Sequence, residues 1–119
     1  MKTQDIARKL VAYCRIGDFE GAQKELYAND VTSIEPEASE GFDKETKGLK
    51  NVFAKSKKFS DMTEKLHGVT TSEPLVTGNA IAFTLDMDIT MKGQERSHLK
   101  ELCVYEVKDG KVVSEQFFM

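Results

Sequence analysis

Ile81-Ala82-Phe83-Thr84-Leu85-Asp86-Met87-Asp88-Ile89-Thr90-Met91 alternates without a break between large apolar residues and small or polar ones. A period of two puts Ile81, Phe83, Leu85, Met87, Ile89 and Met91 on one face of a strand. The other face carries Thr84, Asp86, Asp88 and Thr90, so the strand belongs to a sheet with one greasy side and one wet side. Working outward, turn signals fall at Thr77-Gly78-Asn79, Lys92-Gly93-Gln94 and Lys108-Asp109-Gly110, each short enough only for a hairpin. Strands are therefore expected near 63–75, 79–91, 95–107 and 111–118, joined as an antiparallel meander.

Upstream the period changes. Ile6, Leu10, Tyr13 and Cys14 recur at helical spacing, Thr3 or Asp5 can cap the helix, and Gly17 stops it. Asp18 can cap a second helix carrying Phe19, Ala22, Gln23 and Leu26 on one face and ending near Ala28-Asn29-Asp30. Val31 to Glu35 reads as a short strand closed by Pro36, which delivers Glu35 to its end. Residues 37–45 read as a polar loop. From Thr46 a third, amphipathic helix carries Leu49, Val52 and Phe53, with Lys47, Lys50, Lys55, Lys57 and Lys58 assigned to the solvated side. Helices first and a meander last give an α+β domain, and 119 residues suit a single domain over 1–119.

Composition excludes several function classes. Seventeen Lys+Arg against twenty Asp+Glu give a net charge of −3, so no general positive field gathers nucleic acid or an anionic membrane. The apolar run Ala80-Ile81-Ala82-Phe83 is far short of the about 20 residues needed to span a bilayer. Cys14 and Cys103 sit in apolar-periodic segments and read as buried thiols of a cytoplasmic protein. No phosphate-binding glycine loop is present, and His67 and His98 lack metal-ligand spacing. Neither a cofactor nor a metal is expected, and the histidines read as surface or interface groups.

The run Gly17-Asp18-Phe19-Glu20-Gly21, followed by Leu26-Tyr27-Ala28-Asn29-Asp30-Val31 and Ile34-Glu35-Pro36, resembles the N-terminal half of the nuclear transport factor 2-like superfamily. The closing Val104-Tyr105-Glu106-Val107-Lys108-Asp109-Gly110-Lys111-Val112-Val113 is similar to the penultimate hairpin of its SnoaL-like polyketide cyclases and ketosteroid isomerases. The resemblance implies a cone-shaped α+β barrel, with three N-terminal helices packed in the concave face of a strongly bent, mostly antiparallel sheet around a deep pocket, commonly dimeric. It places Glu35 where the isomerases carry their aspartate base. Leu10 and Cys103 stand near the positions of the isomerases' two oxyanion-hole donors, so steroid isomerisation is not expected.

On this reading Glu35 is the candidate catalytic base, or else a residue that bonds a neighbouring loop or faces solvent. The resemblance makes Cys103 a cavity residue, which turns Glu101, Cys103 and Tyr105 inward. Glu101 and Glu115 interrupt apolar strand faces and either line the pocket or pair with basic residues across strands. Tyr13, Phe53, Phe83 and Phe117 complete the candidate substrate-binding set. The expected ligand is a small apolar or amphipathic organic molecule, handled by acid–base isomerase or cyclase chemistry. The alternative is a non-catalytic ligand-binding or dimeric module, joined through an outer sheet face carrying Leu102, Val104 and Phe118.

Overall fold

A computed structural model describes residues 1–39 and 41–119. Helix α1 (Thr3–Arg15) buries Ile6, Ala7, Leu10, Val11 and Cys14, the stripe expected from the spacing. Its N-cap is Lys2, with no side-chain cap bond, so neither Thr3 nor Asp5 caps it. Gly17 turns the chain with φ of +74°. There the Asp18 side chain accepts the Gly21 N–H at 2.9 Å and starts α2 (Phe19–Leu26). That helix ends earlier than Ala28, because Tyr27 is already extended and opens strand β1 (Tyr27–Ile34).

Glu45 and Thr46, read from sequence as the end of a loop and the start of a helix, belong to a three-residue strand, β2 (Glu45–Lys47), antiparallel to Thr32–Ile34. Gly48 caps the third helix, so α3 runs Leu49–Met62. The expected strand over 63–75 is two strands. β3 (Thr63–Thr71) and β4 (Leu75–Thr77) both pair with β5 (Ala80–Met91), on either side of an interruption that contains Pro74. β6 (Arg96–Lys108) and β7 (Lys111–Phe118) complete the meander.

The strand order is β2-β1-β7-β6-β5-β3, with β1 parallel to β7 and the remaining pairs antiparallel. The sheet is curved but open, and its order runs from edge to edge without closing into a barrel. α3 joins the two edge strands in sequence and contacts both β2 and β3, so a helix occupies the seam. Ile81, Phe83, Leu85, Met87 and Ile89 of β5 all face the helices and are buried. These side chains join one buried core with Ile6, Leu10 and Val11 of α1, and that burial stabilises the domain. No helix among the described residues is long and apolar enough to cross a membrane.

Candidate functional site

Alternation on β6 and β7, fixed by the pairs Cys103↔Phe117 and Tyr105↔Glu115, turns Glu101, Cys103, Tyr105, Glu115 and Phe117 to the helix side. The parallel pairing of β1 with β7 sets Ser33 beside Glu115. Glu115 is 4% exposed, a carboxylate taken almost wholly out of water. It is held there by two hydroxyl donors: Tyr27 bonds Oε1, and Ser33 bonds Oε2 at 2.6 Å. From α3, Lys55 Nζ donates to Ser33 Oγ at 2.5 Å and to Glu35 Oε1 at 2.9 Å. A continuous hydrogen-bonded chain thus runs Tyr27, Glu115, Ser33, Lys55, Glu35. Glu101 Oε1 lies 4.0 Å from the Cys103 sulfur, and the Phe117 ring centroid is 6.0 Å from Lys55 Nζ.

Burial dominates the electrostatics. It pushes the Glu101 carboxyl up to about 7, helped by the neighbouring Glu35 and Glu115 and opposed by Lys55. Burial also raises Glu115 above the ordinary carboxylate range, while the hydrogen bonds from Ser33 and Tyr27 pull the other way. The Tyr27 and Tyr105 hydroxyls are raised well above their usual value by burial. Cys14 is pushed up to about 12 and Cys103 also upward, chiefly by burial, so both are inert thiols at neutral pH.

Of the residues singled out from sequence, Glu35, Glu101, Cys103, Glu115 and Phe117 are brought together. Phe83 and Tyr105 lie in the packed interior, their rings stacked at 5.4 Å between centroids. Tyr13 turns instead toward α2, where its hydroxyl bonds Glu25. Phe53 is half-buried on α3, with the Lys24 ammonium 6.0 Å from its ring centroid. Sequence reasoning missed Tyr27 and Ser33 as site residues, and it misassigned Lys55. That lysine is not on the solvated side of α3, since its side chain is only 12% exposed. The signal was its spacing, three residues after buried Val52 and four before Phe59, which packs on the core. Among the described residues no group of histidines, cysteines and carboxylates is arranged to hold a metal.

Two open grooves flank this arrangement. One, of about 630 Å³, is bordered by Thr70, Thr84, Asp86, Lys100, Leu102 and Phe118, whose register rows place them on the outer face, and also by Glu101. On that face His98 Nδ1 lies 2.7 Å from Asp86, and His67 Nε2 lies 2.8 Å from Thr90 Oγ1. The other groove, of about 460 Å³, lies between Gly41–Asp43, β2 and α3, and Lys55 is among the residues bordering it.

Residues 1–119 match the family described as the SnoaL-like domain. A solved structure from Mesorhizobium loti, described as a candidate SnoaL-like polyketide cyclase, is 30% identical with a TM-score of 0.89, covering 100% of both chains. A protein of ketosteroid isomerase-like fold from Catenulispora acidiphila, in complex with trimethylamine, is 14% identical with a TM-score of 0.76, over 99% of this chain and 87% of that one. A candidate isomerase from Bacillus subtilis is 20% identical with a TM-score of 0.75, over 98% and 88%. Comparison with curated proteins finds no match.

Proposed function

The chain belongs to the SnoaL-like domain family, and from that premise we propose that it binds a small organic carbonyl compound beside Glu35 and Glu101 and shifts a proton on it. The observation that carries this reading is the Glu101 carboxyl, pushed up to about 7 with Glu35 as a charged neighbour. A carboxyl poised near neutrality is an effective proton donor and acceptor at the pH where the protein works.

In the proposed step Glu35 removes a proton from the carbon next to the carbonyl. The C–H electron pair becomes the new C=C bond, and the carbonyl π pair moves onto oxygen. Protonated Glu101 gives its proton to that oxygen; with a β,γ-unsaturated carbonyl compound Glu35 then returns its proton at the γ carbon while the enol O–H proton goes back to Glu101, which re-forms the carbonyl and completes an isomerisation with no oxidant or cofactor. Lys55 holds Glu35 in place. Glu101 thus takes the donor role that Cys103 does not fill, two residues earlier on the same strand face. Cys14 and Cys103, buried as free thiols, support a reducing, cytoplasmic setting.

The test is deuterium uptake from D₂O by a panel of small enolisable ketones, followed by proton NMR. Wild type should accelerate uptake, and Glu35→Gln and Glu101→Gln should each lose about 10²-fold or more. Equal rates in wild type and Glu35→Gln sink the reading.

A second reading concerns assembly. Leu102 and Phe118 are 39% and 47% exposed beside the outer groove, and an exposed apolar patch of this kind marks an interaction surface. We propose a homodimer through this face. Light scattering should return twice the chain mass at micromolar concentration, and a monomer there counts against it.

A further inference from the structure

Ser33 joins two halves of the buried network that no other hydrogen bond connects among the described residues. On one side Glu115 accepts from Tyr27 and Ser33, held beside Ser33 by the parallel pairing of β1 with β7. On the other, Lys55 reaches from α3 to Glu35. The link is the Ser33 hydroxyl, wholly buried, 2.6 Å from Glu115 Oε2 and 2.5 Å from Lys55 Nζ.

Chemistry fixes the direction of that link. An ammonium has three donors and no acceptor, so Ser33 must accept from Lys55, and its single proton is left for Glu115. A hydroxyl that would otherwise rotate is thereby locked at both ends. The period of two places Ser33 and Glu35 on one face of the same chain segment, and the Glu35 N–H is itself pinned to the Lys44 carbonyl at 2.7 Å. One ammonium can therefore bridge both side chains. The ion pair with Glu35 does not fix Lys55 by itself, because the Glu35 side chain is 27% exposed and the lysine stem is long and flexible. The buried hydroxyl supplies the contact that water cannot replace.

We propose that Ser33 is a positioning residue: with its proton committed to Glu115, its oxygen holds the Lys55 ammonium against Glu35 and so sets where the carboxylate of the base stands. This rests on the reading of Glu35 as the base, but its first readout needs no substrate.

The experiment is trace acetylation of the folded protein with acetic anhydride, with the extent at each lysine read by mass spectrometry. Lys57, exposed on the same helix, is the internal reference. Wild-type Lys55 should react about tenfold more slowly than Lys57, because its nitrogen must first leave its acceptors and reach the reagent. In Ser33→Ala, Lys55 should react about fivefold faster while Lys57 keeps its rate, whereas general loosening of the fold would speed up every buried lysine and the chain around it. The nuclear Overhauser contact between the Lys55 ε-methylene and the Phe117 ring, whose centroid is 6.0 Å from Nζ, should weaken in the same variant. With any ketone that wild type exchanges, Ser33→Ala should lower kcat about tenfold at unchanged KM. If Ser33→Ala does not fold, Ser33→Cys, close in size but a weak acceptor, takes its place with the same expected outcomes. Lys55 acetylated as fast as Lys57 in wild type, or at its wild-type rate in the folded variant, overturns the proposal. Release of Lys55 in the variant while no ketone exchanges deuterium even in wild type supports the placement of Lys55 by Ser33 and removes only the proton-transfer step.

Discussion

Glu101 is a buried acid whose charge the fold resists, and that gives the protein a pH signature. Its folded value of about 7 lies above the ordinary 4.5, so between these two pH values the folded state holds a proton that the unfolded chain releases. Stability is therefore greatest below about 4.5 as far as this group is concerned, and is lost as pH rises through about 7. Urea denaturation of Glu101→Gln should show that decline flattened, with a gain of about 1–3 kcal/mol at pH 8. Lys55 restrains the Glu101 shift. Carbon NMR of the carboxyl in Lys55→Met should accordingly find Glu101 titrating above its wild-type value. Glu115 behaves differently, because its worth lies in satisfying two buried hydroxyls. Glu115→Ala should cost about 2–4 kcal/mol in chemical denaturation, and Glu115→Gln less, since an amide still accepts from one of them. Residues of this kind were only partly legible in the sequence. Glu35, Glu101 and Glu115 announce themselves as carboxylates at a strand end or on apolar faces. Ser33 and Tyr27 do not, because their role depends on a partner about 80 positions away, and Lys55 was hidden by the charge that usually marks a wet face.

At the level of elements, the α1–α2 junction is the most tightly specified place in the chain. Gly17 adopts a φ of +74°, and a Cβ there would meet the Leu66 side chain at 2.9 Å. The backbone requires glycine, and the end of the Leu66 side chain would have to shift to admit a Cβ. Gly17→Ala should lower stability by about 1–2 kcal/mol by thermal or urea unfolding, and Asp18→Ala by about 1 kcal/mol through loss of the α2 cap. The helices and the long strands β5, β6 and β7 were readable because each carries several repeats of its period. β2 was not readable, since three residues are too few to show alternation and its neighbours Lys44 and Gly48 carry no strand signal. The splitting of β3 from β4 was equally hidden, because irregular alternation across 63–77 masks a strand that pairs twice with the same partner.

Across the whole molecule, α3 takes the place of the missing ladder between β2 and β3, so access to the carboxylates depends on how a helix sits rather than on sheet hydrogen bonds. The outer face keeps its own, separate set of polar pairs, Arg96 with Asp88 and His98 with Asp86. If copies associate there, Leu102→Lys should yield a monomer by light scattering while leaving the far-ultraviolet circular dichroism unchanged.

The parallel register of β1 with β7 has a temporal meaning as well. Ser33 and Glu115 are 82 residues apart, and only that register makes them neighbours. Hairpins β5–β6 and β6–β7 close short loops and can form early, whereas bringing β1 to β7 must first overcome the entropy of a long loop. A refolding chain would hence acquire its meander while still lacking the buried carboxylate network, and pulsed hydrogen exchange should find amides of β5 and β6 protected before that of Ser33. The buried carboxylate network is thus expected to be the last part of the fold to assemble.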